Sequence, residues 1–409
     1  MATHLKMRAC LISVLGAFAL YADEPKVLAQ SMEAAWRVTW QRFYSPDSSL
    51  LYDYLSSYAE GHALDHLPTR REIEANIPNP MGYGTGMEDG MISAGIMLSA
   101  IVDRYAVTGD NLLREKADAL LRGIRACTVE HGATGFVARA VSRDLPRVAY
   151  INASRDQVSH AVHGLWLYAR SPLCTEPSRR EIVVLVRAIA DRMLRLVTPE
   201  NNYDFLTLRG TRDPKAHSTM WNVHGHEAAR LPMIYAVAWS LTQDARYKTA
   251  YEQYADAAIE QSKAFDPKQP MWALLQMQGS LEVLLALETN AVRRAAIQTT
   301  MQAVTACCAK RAKGPDARAA TLDLTLLATD WRTGGGLNVT YRPAWYCIRE
   351  SGEIFLTELT DMATPFPEEQ QRLLIRAIER LDFNRVSSCG IFFLQAAYWK
   401  WQLRLKEGR

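Results

Sequence analysis

From about Met32 to Leu405 apolar residues recur every three to four positions, and almost no stretch alternates with a period of two. A period near 3.6 marks helices that bury one face, so the pattern predicts an all-α chain. Helical runs fall at roughly 31–44, 88–107, 110–129, 155–170, 178–197, 223–241, 244–263, 269–288, 291–309, 317–329, 349–362, 367–380 and 388–405. Short links such as "TGDN" (108–111), "TQDA" (242–245) and "ETNA" (288–291) favour antiparallel hairpins. Long irregular stretches at 45–87, 131–154, 198–222 and 330–348 hold most of the Gly, Pro, Asn and aromatic residues outside helices. Loops on a rigid scaffold are where function concentrates.

Several helices are rich in small residues, as in "GMISAGIMLSAI" and "SHAVHGLW". Small side chains let backbones approach, as suits helices surrounded on all sides. About a dozen hairpin-paired helices with such inner members predict a double ring, the (α/α)6 toroid, forming a single domain over 23–409. A superhelical repeat array is the alternative, and it calls for a fixed-period sequence repeat that is not seen.

Composition narrows the partners. The chain of 409 residues is 48% hydrophobic and 22% charged, enough to bury a large core. Its 47 basic and 44 acidic residues are interspersed without a basic stripe, which argues against a nucleic-acid partner. Lys6 and Arg8 precede the apolar run "ACLISVLGAFALYA" (9–22), which reads as a secretory signal peptide over 1–22 and predicts export to the periplasm or the exterior. Cleavage is expected after Ala22, with Ala29 as the alternative. A membrane anchor would need about 20 apolar residues. The run is shorter and no later segment is as unbroken, so stable membrane insertion is not expected. Cys127, Cys174, Cys307, Cys308, Cys347 and Cys389 remain after the signal, open to disulfides or to buried thiols.

Three polar clusters sit where long loops meet helices expected on the inner ring. In "GYGTGMEDG" (82–90) glycines precede Glu88 and Asp89. Acids there either complement the helix dipole or stand at a pocket floor; Asp89 shares a helix face with Ile92, Ile96 and Asp103. In "NASRDQVSHAVHG" (152–164) Asn152 or Ser154 suits an N-cap, Ser154 with Gln157 fits a capping box, and Asp156, His160 and His163 fall on one stripe beside Arg155. "HSTMWNVHGHEAAR" (217–230) gathers His217, Trp221, Asn222, His224, His226, Glu227 and Arg230. These suit substrate hydrogen bonding; His-x-His-Glu also offers metal ligands, without the i, i+4 spacing of the metalloprotease helix. Tyr83, Trp221, Trp272, Trp331 and Trp345 can pack, or stack on a sugar face. Nucleophile-elbow, reactive-cysteine, P-loop and dinucleotide signatures are missing, which leaves carboxylate and imidazole acid–base chemistry.

With an export signal, a toroid pattern and acids at two inner-helix starts, in "GMED" and "SRDQ", the chain resembles the (α/α)6 carbohydrate-active enzymes. Among these it is most similar to the unsaturated uronyl hydrolases of glycoside hydrolase families 88 and 105. The resemblance implies that Asp156 donates a proton to a sugar double bond and activates water, with Asp89 as its partner and one of the two kept partly protonated. Arg155 or Arg230 would bind the sugar carboxylate. Glu88, Gln157, His160, His163, Trp221, Asn222, His224, His226 and Tyr83 would bind or tune the site, with no metal or cofactor. A polysaccharide lyase using Asn222, His224, His226 and Arg230, a noncatalytic glycan binder, and an epimerase with two opposed histidines remain as alternatives.

Overall fold

Six of the helical segments are buried on nearly every side, several of them apolar throughout, which requires other helices to surround them. The computed structural model describes residues 26–408, so the expected signal peptide and its Cys10 lie outside the described residues. In chain order the helices are α1 (26–38), α2 (Arg70–Glu74), α3 (Gly90–Thr108), α4 (Leu113–Arg125), α5 (Arg155–Arg170), α6 (Glu176–Leu196) and α7 (Arg230–Thr242). They continue with α8 (Ala245–Lys263), α9 (Met271–Leu287), α10 (Ala291–Arg311), α11 (Lys313–Ala319), α12 (Arg342–Thr360), α13 (Glu368–Glu379) and α14 (Gly390–Lys406).

Helices α3, α5, α7, α9, α12 and α14 each pack against the next, and α14 packs back against α3, closing an inner ring. Helices α4, α6, α10 and α13 lie outside, each against the two inner helices it connects, and α8 lies outside against α7 and α10. The sixth outer place falls to α1, whose Glu33 bonds Arg104 of α3 and whose following turn meets α14 through Thr39 and Gln395. The fold is the expected all-α (α/α)6 toroid. An outer helix runs back between each inner helix and the next, so all six inner helices begin at the same end, the mouth of the ring.

Small residues set the tightest contact of that ring. A Cβ on Gly95 of α3 would lie 2.1 Å from the His160 carbonyl oxygen of α5, and one on Gly164 would lie 2.7 Å from the Gly95 Cα. The two helices therefore cross backbone to backbone. Helix α3 is also long and apolar enough to cross a membrane by length and composition, but 78% of that window is buried inside the ring, as in a core helix.

Some expected boundaries shift. The helix at 317–329 is instead α11, which ends at Ala319 and leaves irregular chain behind it. Helix α12 begins at Arg342, ahead of the expected 349, because Pro343 in its first turn fits a helix start. The run from 223 has only a 3₁₀ turn, Gly225–Glu227, before α7 proper. The stretch 45–87 holds α2 and one side of a two-residue hairpin pairing Tyr44–Ser45 (β1) with Leu50–Leu51 (β2). All six cysteines named above are free thiols.

Candidate active site at the mouth of the ring

The approach to α3 is a glycine turn, and Gly86 (φ 83°) must be glycine because a Cβ there would meet His66 Nε2 at 2.8 Å. The turn aims the main-chain N–H groups of Gly84 and Gly86 at the Glu88 carboxyl, at 3.1 and 2.8 Å. Glu88 is buried, and that burial, followed by the charge of Asp89, pushes its pKa up to about 7. Asp89 holds the N-cap position of α3 without capping it. Its Oδ2 instead accepts from Arg349 Nη1 at 2.5 Å, while Oδ1 lies 3.4 Å from Gln157 Nε2 and 3.8 Å from Arg139 Nη1.

Beneath Asp89 is a layer the sequence reading did not pick out. Arg349 also bonds Glu353 at 2.7 Å, and its guanidinium stacks over the Trp345 and Phe393 rings at 5.3 and 5.1 Å. Burial lifts the Glu353 carboxyl to about 7 against the pull of Arg349. Asp53, fully buried, accepts the Asp89 main-chain N–H at 3.0 Å, and its other oxygen has no partner. Burial and the charges of Asp89 and Glu88 raise its pKa well above the usual carboxylate range. Arg139 donates to the Glu88 carbonyl at 2.7 Å and to the Tyr83 hydroxyl at 3.0 Å. Of this layer the sequence showed the aromatics Trp345 and Tyr83; the i, i+4 spacing of Arg349 and Glu353 was the one signal for its charges.

Asp156, in the first turn of α5, is bonded to Arg230 Nη1. Burial alone would raise its pKa, but Arg230, then Arg155 and Arg139, outweigh burial and hold the carboxyl below the ordinary range. The resemblance asks that Asp156 or Asp89 be partly protonated; Asp156 is held ionised, while burial raises the neighbouring Glu88, Asp53 and Glu353 carboxyls. Arg155 is not free for a sugar carboxylate either. It bonds Glu227 at 2.6 Å and the carbonyls of Ala216, His217 and Thr219 at 2.6, 3.2 and 3.2 Å.

The expected capping box at the start of α5 does not form. Ser154 makes no side-chain cap bond, and Gln157, fully buried, spans to α3 through Met91 N at 3.1 Å and the Glu88 carbonyl at 2.9 Å. The stripe from Asp156 runs down the ring interior. His160 is buried beside a small cavity shared with Ser99, Gln276 and Gly279, and burial lowers its pKa to about 3. Deeper still, His163 bonds Glu282 at 2.8 Å.

In the third cluster Arg230 is fully buried, and its Nε and Nη2 have no partner. His226 is buried, and its pKa falls to about 4 because burial disfavours the cation. Its ring stacks on exposed His224 at 5.7 Å. Trp221 packs on Tyr254 at 4.6 Å, and Asn222 is exposed in a left-handed turn (φ 57°). Glu227 is spent on Arg155 and Arg230. Among the described residues no group of three or more His, Cys, Asp and Glu is arranged to hold a metal ion.

Asp89, Glu88, Arg139, Tyr83, Asp156 and Arg230 thus share one mouth. Tyr83 lies within the electrostatic reach of Asp89, Asp156 and Glu88 together, and its ring meets His217 at 6.3 Å.

No known family's sequence profile matches the chain, and no curated protein matches it. Two solved structures are similar over most of the chain. The cellobiose 2-epimerase from Spirochaeta thermophila aligns over 94% of this chain and 99% of its own, at 11% identity and TM-score 0.49. A sugar epimerase from a ruminal bacterium aligns over 90% and 98%, at 11% identity and TM-score 0.48. Likeness at this level carries no argument about what the mouth does, which rests on its own residues.

Proposed function

We propose that the chain is a carbohydrate-active enzyme acting on uronic-acid-bearing oligosaccharides, with Asp89 and Asp156 as carboxylates flanking the reacting sugar carbon. The observation that carries this reading is the paired arrangement at two neighbouring inner-helix starts. Each aspartate is fixed by an arginine from another inner helix, Arg349 or Arg230, and Arg139 lies within the field of both. Two anions so held suit a sugar transition state that gains positive charge at carbon. Arg139, bonded to the Glu88 carbonyl and the Tyr83 hydroxyl, adds positive charge beneath the mouth that favours an approaching sugar carboxylate without bonding it. Hydration of an unsaturated uronyl residue is the specific reaction we favour. Asp89→Asn and Asp156→Asn test it. Each is expected to lower turnover about 10²–10⁴-fold with oligosaccharide affinity largely kept; unchanged turnover in both would remove the aspartates from the chemistry, and oligosaccharide binding without turnover in wild type would mean a glycan binder.

A lyase or epimerase is the second reading, favoured by His226. Buried next to Arg230 with its pKa near 4, its imidazole is a neutral base at neutral pH. We also propose that the protein is exported, which N-terminal sequencing of the secreted chain checks by finding a start after Ala22 or Ala29.

A further inference from the structure

Hydrating a sugar double bond needs a proton donor that faces the substrate, and the acids of the mouth are otherwise engaged. Asp156 is bonded to Arg230, Asp89 to Arg349, and both oxygens of Glu88 are taken by main-chain N–H groups. We propose that His217, oriented by Asp213, is the group that gives and takes the proton in this mouth, an inference that rests on the function proposed above.

The loop at 213–217 is built around Asp213. Its buried carboxylate accepts from His217 Nδ1 at 2.7 Å and from the main-chain N–H of His217 at 2.9 Å; its other oxygen accepts from Lys215 N at 3.1 Å and Asn152 Nδ2 at 3.2 Å. Those bonds outweigh burial and keep Asp213 ionised. A carboxylate on Nδ1 fixes the hydrogen there and leaves Nε2 as the nitrogen that exchanges protons. The His217 side chain is 32% exposed, and its ring meets Tyr83, whose hydroxyl is tied to Arg139. Its carbonyl accepts the main-chain N–H of Arg155 at 2.9 Å, which pins the loop to the same helix start that carries Asp156.

Other imidazoles nearby lack this combination. His160 and His226 are buried, and His163 is spent on Glu282. The pair His62 and Asp65 has the same 2.7 Å contact, but both side chains are more than half exposed and nothing fixes them.

The step conserves atoms and electrons. Protonated His217 delivers its Nε2 hydrogen to one carbon of the double bond, whose π pair becomes the new C–H bond. The neighbouring carbon, beside the ring oxygen, becomes electron-poor between the two aspartates and bonds the oxygen of water. That water gives its proton to Nε2, which restores the imidazolium; the hemiketal so formed opens by breaking its bond to the ring oxygen, which takes up the hydroxyl proton, and the hemiacetal left at the anomeric carbon releases the rest of the oligosaccharide as an alcohol, leaving an open-chain keto acid.

The test compares wild type with His217→Ala and Asp213→Asn on unsaturated uronyl oligosaccharides from a lyase digest, with long-range ¹H–¹⁵N spectra of His217. For His217→Ala kcat is expected to fall about 10²–10⁴-fold with KM little changed, and added imidazole to restore part of it. Asp213→Asn should lower kcat in the same direction and move the ring hydrogen. Turnover in His217→Ala above about a tenth of wild type, or a loss confined to KM, overturns the dyad and leaves the functional reading standing. If wild type turns over none of these sugars and the Nε2 signal does not move when they are added, both fall together.

Discussion

Glu88 shows how a single residue's surroundings become a measurable pH dependence. Its folded pKa, about 7, lies above the ordinary 4.5. The folded state therefore binds more protons than the unfolded chain between those values, and stability is lost as pH rises through that window. Replacing Glu88 by Gln removes this titration. The Tm of wild type relative to Glu88→Gln should decline between about pH 4.5 and pH 7 and level off above, as thermal unfolding across that range can show. A difference that rises through the window contradicts the assignment. Arg349 makes a second residue-scale case, since its loss would strand Glu353 without a partner in the core. Arg349→Met should cost about 3–5 kcal/mol in denaturant unfolding.

Helix positions were largely legible from periodicity alone. Helix α5 spans the 155–170 expected for it, because its apolar spacing is regular and its flanks are rich in turn residues. Boundaries failed where local signals competed. The aromatic, glycine-rich stretch before Arg349 hid a helix that Pro343 had already begun, and the first turn of α5 mimicked a capping box although Gln157 reaches across to Met91 and Glu88 instead. The small-residue pattern of α3 and α5 carried the packing correctly. Because a Cβ on Gly95 would collide with main chain rather than a movable side chain, Gly95→Ala should destabilise by about 1–3 kcal/mol or more. Chemical denaturation measures this; a neutral effect would mean that the helices can separate at no cost.

Ring closure decides what the whole molecule brings together. Arg349 lies 260 residues from the Asp89 it holds, and no local pattern joins them. Asp89, Asp156 and Arg230 were recognisable because each begins a helix after a long loop, whereas Asp53, Arg139 and Glu353 are plain loop or core positions until the ring closes. At the far end of the ring another buried charge group, Lys400 with Asp103 at 3.3 Å and Glu282 at 3.7 Å, joins α14, α3 and α9. Lys400→Met should lower stability by about 3–5 kcal/mol in denaturant unfolding, since it leaves Asp103 buried without its cation while Glu282 keeps His163.

The most direct measurement of the central claim is ultraviolet absorbance of the conjugated uronate double bond. The mature protein would be added separately to lyase-digested uronic-acid oligosaccharides and to the intact polymers. Loss of absorbance on the digests, abolished in Asp156→Asn and Asp89→Asn, is the predicted result. A rise on intact polymer, with no loss on the digests, would contradict the account and make the enzyme a lyase centred on His226 and Arg230.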